Sequence, residues 1–218
     1  MQNISYSYRR DIPLAYIIQM SDNPISQKLS ERCADSCEEV GQPYRYFEAF
    51  TPTHTPITDS WVSWIKVVDN QLSPSEVACA FSHIALWAKC VETDTPLIVL
   101  EHDAIMRQPL KDFPLFNCIG YLGSTEQTKQ GWLVTPTPPH GTNGANYHFM
   151  LRAHAYAIDP QIAKNMLAHV IKYGIHESLD LMIRADIFPV VQFGLYAYDQ
   201  PGETTITDRK KGPDGQER

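Results

Sequence analysis

Four consecutive aliphatic residues, Leu97-Ile98-Val99-Leu100, open behind Pro96 and run directly into Glu101-His102-Asp103. A strand with one wet face alternates apolar and polar residues. An unbroken apolar run of this length belongs to a strand covered on both faces. A chain carrying such a strand must supply cover on two sides. The flanking sequence does so, because strand-like and helix-like segments alternate along it, the pattern of an α/β layer architecture. Just upstream, Ser73-Pro74-Ser75-Glu76 is a helix start: Ser73 caps, Pro74 suits the first helical position, and Glu76 completes a capping box. The spacing predicts a helix over 77–91, with Val77, Phe81, Ile84, Leu86 and Val91 giving it a broad apolar surface.

The remaining elements follow from the same signals. Residues 12–19 read as a buried first strand, 25–40 as a helix with Lys, Glu and Arg outward, and 44–50 as a strand. Residues 51–60 carry two Pro and form a loop. Strands are expected over 118–123, 153–158 and 190–198. Helices are expected from the Asp159 cap to about 172 and over 178–185. The stretch 130–146 is rich in Pro and Gly, and irregular stretches of that length often serve as lids. A single domain over 1–207 is expected, with 208–218 a charged, mobile tail.

Charge narrows the function classes. Eighteen basic against 25 acidic residues leave a net charge of −7. Nonspecific nucleic-acid binding needs many Lys and Arg contacts to phosphates, so this balance argues against it. It leaves phosphorylated substrates open, because a bound divalent cation can provide positive charge. No run approaches the roughly 18 apolar residues of a membrane-spanning helix, and the early apolar segment is too short for a signal peptide. The expected location is cytoplasmic. Five Cys without zinc-like pairing fit reduced thiols, Cys33 and Cys37 sharing one helix face.

The acidic pair is the strongest local signal for chemistry. In open α/β sheets, ligands bind beyond the carboxyl ends of the strands. Glu101 and Asp103 are two apart, so in strand geometry they point the same way, and two hard carboxylates can hold Mg²⁺ or Mn²⁺. In the same geometry His102 alternates to the opposite side. The bland alternative for the pair is a solvated strand end with a helix cap.

The segment from Leu72 to Gln108 resembles glycosyltransferase family 25, the lipooligosaccharide galactosyltransferase family that also includes collagen galactosyltransferases. Members carry a helix ending in Ser-His-x-x-x-Trp, matched here by Ser82-His83-Ile84-Ala85-Leu86-Trp87. An apolar strand then runs into Glu-Asp-Asp-Ala, matched by Glu101-His102-Asp103-Ala104 with His102 in place of the middle acid. Further on, Ala155-Tyr156-Ala157-Ile158-Asp159-Pro160 resembles the family's Ala-Tyr-x-Ile-Ser-Pro junction, and Leu179-Asp180-Leu181 its Val-Asp-Leu segment. Residues 17–32 resemble its opening strand and Arg-bearing helix. Thr205-Ile206-Thr207-Asp208 is similar to a Ser-Asp pair near its C-terminus. The likeness spans about residues 12–210.

That resemblance implies a GT-A-like fold, a mixed, mostly parallel sheet with helices on both faces. It implies an inverting transfer of a sugar, often galactose from UDP-galactose, to a glycan or glycoconjugate acceptor, as in lipopolysaccharide biosynthesis. Glu101 and Asp103 would hold the metal, Mn²⁺ or Mg²⁺. Ser82, His83, His102 and Arg32 would join them around the nucleotide-sugar. An acceptor hydroxyl needs a general base within hydrogen-bond reach. Asp180 is the first candidate and Glu177 the second, three apart at the start of a short helix. His102 leaves three roles open: packing, donor contact or ligation. His140, His148 and His154 are further ligand candidates. Trp87 is expected to pack, and Trp61 and Trp64 either anchor the core or stack on sugar.

Two rival readings stand beside the transferase. One is a catalytically degenerate nucleotide- or glycan-binding protein, favoured by His102 and the chain's length. The other is a metal-dependent hydrolase using His102 and Asp103. A lipid-linked acceptor would bring peripheral membrane contact, although no strongly basic amphipathic helix is evident. Oligomeric state is not encoded in any feature of the sequence.

Overall fold

The computed structural model describes residues 12–54, 60–68, 71–111, 117–124, 153–200 and 205. The Pro/Gly-rich stretch 130–146 with His140, His148 just after it, and the 208–218 tail lie outside these residues. Among the described residues, seven strands form one sheet in the order β2-β1-β3-β6-β5-β7-β4. The strands are β1 (Leu14–Gln19), β2 (Tyr44–Glu48), β3 (Leu97–Glu101), β4 (Ala104–Met106), β5 (Ile119–Ser124), β6 (Ala155–Ile158) and β7 (Val190–Asp199). The helices are α1 (Pro24–Val40), α2 (Pro74–Thr93), α3 (Pro160–Tyr173) and α4 (Leu179–Met182). A short 3-10 turn, Ser60–Trp64, falls within and beyond the expected loop.

The sheet is mixed. β1 is parallel to β2 and β3, and β5 is parallel to β7. β6 runs against both its neighbours, and β4 runs against β7. Side chains of the central strands alternate between two cores. Tyr16, Ile18, Leu97, Val99, Tyr156 and Ile158 point toward α2 and α3. Ala15, Ile17, Ile98, Leu100, Ala155 and Ala157 join Cys33, Ala34 and Cys37 of α1. The aliphatic run of β3 is therefore covered on both faces, as its composition requires. Each large aliphatic side chain buried this way contributes about 1.5–3 kcal/mol. The architecture is α/β, a mixed sheet with helices on both faces.

Local signals place the helices closely. Asn23 Oδ1 accepts from Ile25 N and Ser26 N to start α1, and Gly41 ends it in the left-handed conformation. Ser73 and Glu76 form the expected capping box of α2. Asp159 Oδ1 accepts from Ile162 N at 2.8 Å to cap α3. The last helix is shorter than the sequence suggests, since Ile183 is already extended. β4 was not expected, because three residues are too few for a periodicity signal. It forms because β7 offers an antiparallel partner and Ser36 Oγ accepts from Met106 N at 2.9 Å. No helix of the described residues is long and apolar enough to cross a membrane.

Two glycines with positive φ make a test of the backbone. Gly41 has φ 73° with nothing within 4 Å of an added Cβ. Gly174, after α3, has φ 78° and ψ −179°, a region open essentially to Gly alone. A Cβ there would also lie 2.5 Å from the Lys66 carbonyl oxygen. Gly41→Ala should cost about 1 kcal/mol, and Gly174→Ala about 3 kcal/mol or more because strain and clash add. Urea unfolding of the two variants checks the ranking.

Candidate active site

The parallel strands β1 and β3 end side by side, Ile18 opposite Glu101. β6 runs the other way, so its N-terminal approach reaches the same edge, and Glu101 N donates to the His154 carbonyl at 2.9 Å. β7 ends there too: Asp199 pairs with Ala104, and Gln200 N donates to the Asp103 carbonyl at 2.8 Å. A cleft of about 250 Å³ opens at this edge. Ser82, His83, Glu101, His102, Asp103 and Asp180 all line it. Six of the eight site residues expected from the sequence thus meet in one place.

The strand stops at Glu101, and His102 and Asp103 form a turn into β4. Strand alternation therefore does not hold at His102, which faces the same cleft as the acids rather than the opposite side. Its Nδ1 lies 3.2 Å from Ser26 Oγ in the first turn of α1. Burial pushes its pKa down to about 4, so the ring is neutral at pH 7. Asp103 is the mirror case. Burial, then the neighbouring Glu101 carboxylate, push it up to about 7. Its Oδ1 is buried with no hydrogen-bond partner among the described residues. A carboxylate in that position is unstable toward its neighbours until a proton or a cation joins it.

A buried polar chain runs from the core to Glu101. The Trp87 indole donates to the Tyr156 hydroxyl oxygen at 2.9 Å. Tyr156 lies 2.8 Å from His83 Nδ1, and His83 Nε2 lies 3.3 Å from Glu101 Oε1. The Tyr156 oxygen already accepts from Trp87, so its hydroxyl proton is free to go to Nδ1, which puts the ring proton on Nε2, facing Glu101. His83 is 1% exposed, and burial lowers its pKa to about 3, opposed by Asp180. The His of the Ser-His-x-x-x-Trp motif is therefore a neutral link that orients Glu101, and Trp87 anchors the far end. Tyr156 was visible in sequence only as part of a strand-to-helix match, since nothing local shows that its hydroxyl meets a helix 69 residues away.

Asp180 lies at the start of α4, where its Oδ1 accepts from Ala153 N at 3.3 Å. Ser82 lines the cleft, but its hydroxyl serves the backbone, accepting from Phe50 N at 2.9 Å and donating to the Ala78 carbonyl at 3.0 Å. Two expected residues are not brought to the cleft. Arg32 points outward on α1, where its Nη1 donates to Gln200 Oε1 at 3.2 Å. Glu177 precedes the Ser178 cap, outside α4, so it does not share a helix face with Asp180. Cys79, Asp199 and His154 line the cleft without having been singled out for it, apart from His154 as a loose ligand candidate. His154 sits against Gly123, where an added Cβ would come within 2.5 Å of its ring. Trp64 is 60% exposed and does not anchor the core.

The family model for "Glycosyltransferase family 25 (LPS biosynthesis protein)" matches residues 15–119. That segment holds β1 through the start of β5, including the helix-strand-acid block at the cleft. Residues 15–119 are thus similar to glycosyltransferase family 25. A similar solved structure is the "crystal structure of a glycosyltransferase involved in the glycosylation of the major capsid of PBCV-1". Identity to it is 10% and the TM-score 0.36, over 72% of this chain and 66% of that one. The chain thus covers just under two thirds of that relative's length. No curated protein matches the chain.

Two variants test the electrostatics of the site. Between the unfolded carboxyl value of 3.8 and the folded value of about 7, Asp103 holds a proton only when folded. The cost of its charge is therefore absent below about pH 3.8, grows through pH 5 and is complete above pH 7. Asp103→Asn should match the native chain near pH 3 and be more stable than it at pH 8, by on the order of 4 kcal/mol; thermal melts at both pH values check this. Tyr156→Phe should lose about 2 kcal/mol, because it strands the Trp87 N–H and one His83 ring nitrogen in the core. Denaturant unfolding measures that loss.

Proposed function

We propose that this chain transfers a sugar from a nucleotide-sugar to a glycan or glycoconjugate hydroxyl, with inversion and with a divalent cation. The observation that carries the reading is the convergence of three carboxylates, Glu101, Asp103 and Asp180, on one cleft at the strand ends. The residues fit a hard cation: Asp103 is buried, protonates at about 7 and leaves Oδ1 unpartnered among the described residues. Glu101 and Asp103 would hold Mn²⁺ or Mg²⁺, whose chemistry here is to neutralise charge on the donor's diphosphate as the nucleotide leaves.

The chain's own residues do the rest. Asp180 accepts the proton of the acceptor hydroxyl as its oxygen bonds to the anomeric carbon. In the same displacement the bond from that carbon to the diphosphate oxygen breaks, so configuration inverts. His83, fixed by Tyr156 and Trp87, holds Glu101 in place. His102, neutral and docked on Ser26, occupies the middle of the acidic motif without adding charge. The apolar wall, with Ile18, Ala49 and Phe50, excludes water beside the acids. UDP-galactose is the donor to test first, and a lipid-linked oligosaccharide the acceptor.

A panel of nucleotide-sugars assayed for free nucleotide, with Mn²⁺, Mg²⁺ or EDTA, tests this. Release from one donor should vanish with EDTA and with Asp103→Ala. With an acceptor present, Asp180→Asn should lower turnover by roughly 10²–10⁴-fold while donor affinity stays within about threefold. The product should carry the anomeric configuration opposite to the donor's. Silence across the panel with mixed glycan acceptors would overturn the reading in favour of a binding-only protein.

A further inference from the structure

Three ligand-bearing side chains meet on the helix side of the cleft, and the proposed transfer uses only one of them for the cation. Cys79 and His83 are four apart on α2, so they project from one helix face. Glu101 reaches them from the end of β3. Cys79 Sγ, a His83 ring nitrogen and a Glu101 carboxylate oxygen all lie within 4.8 Å of one another. Bonds of about 2.0–2.1 Å at the tetrahedral angle separate nitrogen and oxygen ligands by roughly 3.3 Å, and His83 Nε2 stands 3.3 Å from Glu101 Oε1. All three residues line the cleft, which gives an ion a route in.

We propose that Cys79, His83 and Glu101 form a three-ligand site for a thiophilic divalent cation such as Zn²⁺, with the fourth position open to the cleft. The donor set decides the class. A thiolate and an imidazole favour Zn²⁺ or Co²⁺ over Mg²⁺ or Mn²⁺, which prefer oxygen alone. Ligating histidines hold their second ring nitrogen to a fixed partner. Here His83 Nδ1 lies 2.8 Å from the Tyr156 hydroxyl, itself tied to Trp87. On binding, the thiol proton leaves to solvent and the ring proton moves to Nδ1, where the Tyr156 oxygen accepts it. Glu101 belongs to both this site and the hard-cation pair with Asp103. A bound Zn²⁺ therefore withdraws Glu101 from Asp103 and inhibits. The site itself stands apart from the transfer reading; only the inhibition rests on it.

The full chain, reduced with a phosphine and free of chelators, is titrated with Co²⁺ and followed in the near-ultraviolet. A thiolate-to-cobalt charge-transfer band should rise to one equivalent, persist in Asp103→Ala and disappear in Cys79→Ser. Added Zn²⁺ should bleach it. His83→Gln should weaken cobalt binding by roughly 10–100-fold, and Cys79→Ser, a conservative change, decides the matter if that core variant misfolds. No band, or a band that survives Cys79→Ser, overturns the site. In the nucleotide-release assay with Mn²⁺, Zn²⁺ should inhibit the native chain and inhibit Cys79→Ser at least tenfold less. Equal inhibition of both overturns the sharing of Glu101. An intact cobalt band with no nucleotide release from any donor would sink the transfer reading and leave the metal site standing.

Discussion

Burial of β1, β3 and β6 on both faces is the constraint from which the rest of the structure follows. A strand with no wet face cannot carry polar side chains along its length, because each would need a buried partner. The polar residues of these strands are therefore pushed to their ends. β1 and β3 are parallel and β6 is antiparallel, so two C-terminal ends and one N-terminal approach share an edge. That edge receives Glu101, Asp103, His102 and His154, and α4 brings Asp180 to it. The site is a consequence of packing before it is a consequence of chemistry.

Low dielectric then sets the charge states. The same burial that drives His83 and His102 neutral raises Asp103, and the closeness of Glu101 adds to the last effect. Neutral histidines beside carboxylates are at first sight a poor use of charge. They leave the acids as the sole formal charges at the motif, so the cleft offers negative potential to a cation rather than an internally cancelled pair. The Trp87–Tyr156–His83 chain orients Glu101 through dipoles, without supplying a counter-charge.

Particular residues show how far the sequence was legible. The Ser73 capping box, the Pro96-bounded apolar run and the Asp159 cap each carry their signal within a few positions, and each element forms where expected. β4 does not announce itself, because its three residues are a strand only through β7. Glu101 and Asp103 both line the cleft, and so does His102, since strand alternation presumes that the strand continues. Arg32 was attached to the site by likeness of position along the chain. Its actual partner, Gln200, comes from the far end of the sequence. Glu177 was grouped with Asp180 by helical spacing, but the helix begins after it.

The sequence alone determined the two-sided α/β architecture, the capped starts of α2 and α3 and the helix-strand-acid block, because capping, periodicity and motif spacing are local properties of the chain. Only the tertiary structure decided which side chains face one another. It joined Trp87, Tyr156 and His83 into one hydrogen-bonded line that ends 3.3 Å from Glu101 and set Cys79 beside that end. It also left Arg32 and Glu177 outside the cleft. Those pairings depend on strand order and on where the chain turns, and separations of 70 residues or so leave no periodic trace in a sequence.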